Sequence, residues 1–201
     1  MKLRLSRLAI GATTALLAAS LAVAAPAAAS SVHTARGLSG ATTVTTAPGI
    51  ATTLIGKGVL PLPILPNTGF RLGYHDGLTA TYRFPITSGN PSLSGPSGDI
   101  LHSGGIYFTS LRAHLAISNF DIDLAAGKVF ATKLNGAPAR VAVLDLNLST
   151  LKVTTSNGAT VLSGITVTLD SEAASALDAT FANLNLPAGL AFGSATVTLR
   201  P

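Results

Sequence analysis

The chain has 201 residues, with 13 Lys+Arg, 8 Asp+Glu, 4 His and no Cys, and only 10% of its residues are charged. Without Cys, disulfide scaffolds, thiolate nucleophiles, thiolate metal sites and iron–sulfur clusters are excluded. The basic excess does not point to nucleic acid. Arg36, Lys57, Arg71, Arg83, Arg112, Lys128, Lys133, Arg140, Lys152 and Arg200 are scattered singly, with no basic stripe interleaved with aromatics.

Residues 1–7 carry Lys2, Arg4 and Arg7, residues 8–23 are uncharged and rich in Ala and Leu, and Ala27-Ala28-Ala29 offers a small-residue exit. These parts describe a secretory signal peptide over 1–29, cut before Ser30. The apolar run is too short and too rich in Ala and Thr for a membrane anchor. The expectation is a secreted, extracellular protein with no transmembrane segment in the mature chain. Residues 30–42, mostly Ser, Thr, Gly and Ala and including His33, read as a flexible leader. Residues 43–201 read as one β domain.

A short helix is predicted at about 48–55, with Pro48 in its first turn and Gly56 and Gly58 ending it. Leu65-Pro66-Asn67-Thr68-Gly69 matches a cell-wall sorting pattern, but more than half the chain follows it and no apolar stretch with a basic tail stands behind it. With Pro61, Pro63 and Pro66 around it, the segment reads as a loop, and no wall anchor is predicted.

Leu111, Ala113, Leu115 and Ile117 alternate with Arg112, His114, Ala116 and Ser118, which places His114 on a solvated strand face. The phase then slips so that Phe120, Ile122 and Leu124 are apolar, which predicts a β-bulge or bend near Ser118-Asn119. Asp121 and Asp123 fall on an outward face and read as solvating charges. Asn135-Gly136 and Asn157-Gly158 mark two hairpins, 128–133 with 140–148 and 151–155 with 160–169. A second helix is predicted over 171–182, N-capped by Asp170, with Ala174, Leu177 and Phe181 on one face. Thr43-Val44-Thr45 before the first helix and Thr166-Val167-Thr168 before the second lead to Ala51/Leu54 and Ala174/Leu177 at equal offsets. Such closely spaced strands are antiparallel neighbours, and the predicted fold is mainly β, a single antiparallel β-sandwich-like domain with two short helices.

Chemistry is mostly eliminated. No Ser sits in a nucleophile elbow, no HExxH occurs, and the His residues are far apart, so the protein reads as a non-enzyme without a metal site. Two segments retain binding chemistry. Gly73-Tyr74-His75-Asp76-Gly77 sets a phenol, an imidazole and a carboxylate between glycines, and His102-Ser103-Gly104-Gly105-Ile106-Tyr107-Phe108 sets a His beside a Gly-Gly turn and an aromatic pair.

Phe84-Pro85-Ile86-Thr87-Ser88-Gly89, His102-Ser103-Gly104-Gly105, Asn119-Phe120-Asp121-Ile122-Asp123, Leu144-Asp145-Leu146 and residues 164–174 together resemble an HtaA-type domain. That family occurs in secreted and surface-attached haem-uptake proteins of Gram-positive bacteria. The resemblance implies an antiparallel β-rich fold with a short helix, and haem bound through a tyrosine assisted by a histidine. The chain lacks the Trp-Gly and Ser-Phe-x-x-Tyr opening of the family's haem domains. The resemblance therefore implies Tyr74, His75, His102 and Tyr107 as haem-binding candidates, with Phe70 or Phe108 covering the cofactor. The glycines would let backbone approach its flat face. Haem, or a haem-transfer partner, is the expected ligand. The alternative is an extracellular structural or protein-interaction module without haem.

Overall fold

A computed structural model describes residues 37–74, 76–92, 95–182 and 184–200. The segment expected to be a signal peptide, His33 and His75 lie outside the described residues. The elements in chain order are β1 (Ser39–Thr46), α1 (Ile50–Gly56), β2 (Leu60–Pro63), β3 (Gly69–Tyr74) and β4 (Leu78–Gly89). Next come β5 (Asp99–His102), β6 (Gly105–Thr109), β7 (His114–Asp123), β8 (Lys128–Leu134) and β9 (Ala137–Asn147). The last are β10 (Lys152–Ser156), β11 (Ala159–Leu169), α2 (Ser171–Thr180) and β12 (Ala191–Arg200). Among the described residues, no helix is long and apolar enough to cross a membrane.

The end of the expected leader is in fact strand. Ala41 and Thr42 are buried, and Ser39 to Thr46 pair in register with Arg200 to Gly193 of β12. A Ser-Gly-Ala-Thr sequence has the composition of a linker, but the backbone decides here. Gly40 stands at φ 128, and a Cβ there would lie 1.9 Å from the carbonyl oxygen of Thr198, so only glycine lets the two strands meet.

Strand order β7–β5–β4–β1–β12–β11–β9–β8 returns to β7 through the β7–β8 pairing, which closes an eight-stranded antiparallel barrel. This corrects the sandwich-like expectation. Alternation with period two buries one face of a strand equally well in a sandwich and in a barrel, and closure depends on pairings distant in sequence. Some local predictions stand and two do not: α1 begins at Ile50 with Gly49 as its N-cap, so Pro48 lies outside its first turn, and Leu111 lies before β7 and is fully exposed. Asn135-Gly136 and Asn157-Gly158, all at positive φ, form two-residue hairpins, and Asn119 at φ 56 marks the bulge in β7. The bulge lies where β7 changes partner, from β6 (Gly105↔Ser118) to β5 (Leu101↔Asp121).

The sheet forks at two corners. At the first, the end of β4 pairs β5 while its beginning pairs β3, and β6 with β2 branches from β7. α1 packs against β4 and β2 there, with Ala51 and Leu54 buried. The Tyr82 hydroxyl donates to the carbonyl of Pro61 (2.8 Å), joining β4 to β2. Thr68, in the expected loop between β2 and β3, is 1% exposed. Its hydroxyl donates to the Gly105 carbonyl (3.1 Å) and accepts from the Gly105 N–H (2.8 Å). At the second corner β9 diverges from β11 and α2 covers its free edge. The Asp170 N–H donates to the Val143 carbonyl (3.2 Å), and Glu172 Oε2 accepts from the Ala142 N–H (2.8 Å). Asp170 caps the helix as predicted, accepting from the Glu172 N–H. Both helices follow strands that flank β12 and run antiparallel to it, so they leave the barrel towards the same end of β12. The equal sequence offsets mark equivalent positions, since Ala51 and Leu54 are buried on α1 and Ala174 and Leu177, with Ala173, on α2.

Candidate functional site

Ile100 and His102 alternate inward on β5, so His102 enters the barrel and is 4% exposed. Its Nδ1 lies 3.3 Å from the Phe120 carbonyl, an acceptor only, so Nδ1 carries the proton. Nε2 then accepts from the Thr42 hydroxyl at 2.7 Å. Burial pushes the imidazole pKa down to about 4, against opposing contributions from the Phe120 and Ile100 backbone and the Asp121 charge. Both nitrogens are used, and the ring is neutral at physiological pH. His102 is thus a satisfied core histidine with no lone pair left for a ligand.

Tyr107 does not join it. On β6 the inward positions are Ile106 and Phe108, both buried, so Tyr107 points to the outer face. The expected His102/Tyr107 pair is therefore divided between the two faces of the wall, and Phe108 cannot cover a ligand at Tyr107. Tyr107 instead stacks on His114 of β7, with ring centroids 5.7 Å apart and planes at 25°. Strict alternation along β6 already carried this signal. The two glycines beside His102 serve the chain itself. A Cβ on Gly104 would meet Thr68 Oγ1 at 2.5 Å, and one on Gly105 the Ile117 carbonyl at 2.3 Å. They make room for neighbouring backbone and not for a flat cofactor.

Tyr74 occupies a different kind of place. β3 pairs Phe70 with Tyr82, Leu72 with Ala80 and Tyr74 with Leu78, so these three side chains continue the barrel-facing side of β4. There Tyr82 and Ala80 are buried, whereas on β3 Phe70 is 40%, Leu72 56% and Tyr74 85% exposed. The Phe70 ring leans on Tyr82 at 5.1 Å. The result is an open apolar strip about 13 Å long at about 3.3 Å per residue, ending in a phenol. Leu72 was not legible as part of it, because period two gives the face but not its exposure. His75 follows directly but is outside the described residues.

The other charged clusters are largely engaged within the fold, although Asp121 Oδ1 is buried without a hydrogen-bond partner among the described residues. Arg140 bonds Asp121 (2.7 Å) and approaches Asp123 (3.6 Å), while its guanidinium covers the Phe130 ring. Lys128 bridges Asp145 and Asp170. Burial by itself would raise the Asp170 carboxyl, but Lys128 and the Glu172 N–H outweigh it and hold the group below the usual range. Among the described residues, no group of three or more His, Asp or Glu could hold a metal ion.

A haem, the group the resemblance implies, can be set against these sites. The barrel holds an apolar cavity of about 120 Å³, whereas an engineered cavity of about 150 Å³ takes benzene, so a porphyrin does not fit inside. Neither His102 nor the Gly104-Gly105 turn suits it. The exposed strip offers three apolar side chains in a row and a terminal phenol, which once deprotonated is a hard anionic donor of the kind ferric iron takes.

No family model matches the sequence, and no curated protein does. Among solved structures the chain is similar to the C-terminal domain of HtaA from Corynebacterium glutamicum. The sequence identity is 18%, the alignment covers 81% of this chain and 99% of that one, and the TM-score is 0.47.

Proposed function

We propose that the protein is a secreted, non-enzymatic binding module, that its functional surface is the Phe70–Leu72–Tyr74 strip of β3, and that its ligand is ferric haem. One observation carries this reading: three large apolar side chains that continue a core-facing surface stand open to solvent. Isolated exposed apolar residues are ordinary, but an apolar row beside a covered one marks a place where something binds. In this reading the Tyr74 phenolate is the iron ligand, and Phe70 and Leu72 lie against the porphyrin. Neither His102 nor Tyr107 takes part.

Titrating the purified protein with hemin and following the absorption spectrum tests the reading. A saturable spectrum with a phenolate-to-iron charge-transfer band is expected. Tyr74→Phe removes that band and weakens binding by about tenfold or more, a loss of the order of 1.4 kcal/mol, while Tyr107→Phe leaves both intact. A wild-type protein without a saturable hemin spectrum would replace haem by the rival reading, in which the strip and the free edge of β3 dock another extracellular protein.

A further inference from the structure

We propose that the interior of the barrel is itself a binding site, for an uncharged apolar molecule of about benzene size. Well-packed interiors leave few voids larger than a water molecule, yet this one holds a continuous cavity of about 120 Å³. Phe84, Phe120, Leu162, Val167, Leu177 and Val197 are among its walls, so its lining comes from β4, β7, β11, α2 and β12 together. Water is a poor occupant. Of the three polar residues on its walls, His102 and Thr42 are already bonded to one another and Ser92 also has a partner, whereas a buried water needs two to four polar partners. The same bond excludes ligands that need a hydrogen-bonding or charged anchor there, because the His102 ring is neutral and both its nitrogens are used. Apolar cavities of this size stay dry and accept hydrocarbon or xenon. An entrance is present as well. Val153 of β10, 44% exposed, lines the same cavity, with the half-buried Leu148 and Leu151 leading inward from it. Among the described residues β10 pairs with β11 alone, so this side of the wall is where the barrel can admit a small molecule.

The site is separate from the β3 strip and does not depend on the haem reading. Crystals of the protein pressurised with xenon should show xenon inside the barrel, and benzene should raise the thermal midpoint by a few degrees with saturation. Ala195→Leu places extra carbon atoms in the cavity from β12 and should abolish the benzene shift, while Tyr74→Phe should leave it unchanged. If Ala195→Leu does not fold, Ala173→Leu fills the cavity from α2 instead, and xenon in the wild type remains decisive in either case. A barrel without xenon, or a benzene effect that rises without saturation, would overturn the proposal.

Discussion

Two rings of similar sequence promise have opposite fates, and alternation along a strand decides between them. His102 shares its phase with Ile100 and goes inside; Tyr107, between Ile106 and Phe108, goes outside. The buried imidazole makes stability depend on pH. Its folded pKa of about 4 lies below the unfolded value of about 6.5, so between these the unfolded chain binds the extra proton. Its contribution is fully present above about pH 6.5 and is lost progressively as the pH falls to about 4, amounting to roughly 3 kcal/mol. Urea unfolding of the wild type at a series of pH values should show this decline, and His102→Gln should flatten it. A decline of unchanged slope in His102→Gln would assign the effect to other groups.

At the scale of elements, both forks of the sheet are fastened by few polar contacts, and each fastening can be cut separately. Asp170 caps α2 and accepts from Lys128, although its side chain is nearly buried. Asp170→Ala removes the cap and leaves the Glu172 N–H without that acceptor, so a loss of about 2 kcal/mol is expected in chemical denaturation. Helical circular dichroism should fall with it. At the other fork, Thr68→Ala leaves the Gly105 N–H and carbonyl without the hydroxyl that both use, and about 2 kcal/mol should again be lost. The sorting-like pattern around Thr68 is thereby explained as a structural turn. Such elements were legible because their signals are local. Asn-Gly pairs, an Asp before a helix and a phase slip in apolar alternation each report on a few adjacent residues. The bulge at Asn119 was legible for this reason, but the change of strand partner that it serves was not.

The whole molecule follows from pairings that no local signal encodes. β1 joins β4 on one side and β12 on the other, so it closes the ring between residues near the beginning and the end of the described chain. Its sequence, Ser39-Gly40-Ala41-Thr42-Thr43-Val44-Thr45-Thr46, has one large apolar residue, which is why half of it reads as leader. Likewise the β3 strip looks like an ordinary half-buried strand until the fork leaves its inner face uncovered. If closure holds the barrel together, removing β1 should not merely fray an edge. It would leave β4 and β12 with unpaired backbone groups facing each other and open the apolar interior to water. Deleting residues 37–46 should therefore abolish cooperative unfolding and near-ultraviolet circular dichroism and expose dye-binding apolar surface, whereas deleting residues 1–36 should leave the unfolding free energy within about 0.5 kcal/mol of that of the intact chain. A β1-deleted protein that still unfolded in one sharp transition would mean that the remaining strands close without it. The distance in sequence between β1 and β12 also predicts slow folding, in the millisecond-to-second range typical of non-local β topologies, while Gly40→Val should destabilise the closed barrel itself, because its Cβ would collide with the Thr198 carbonyl.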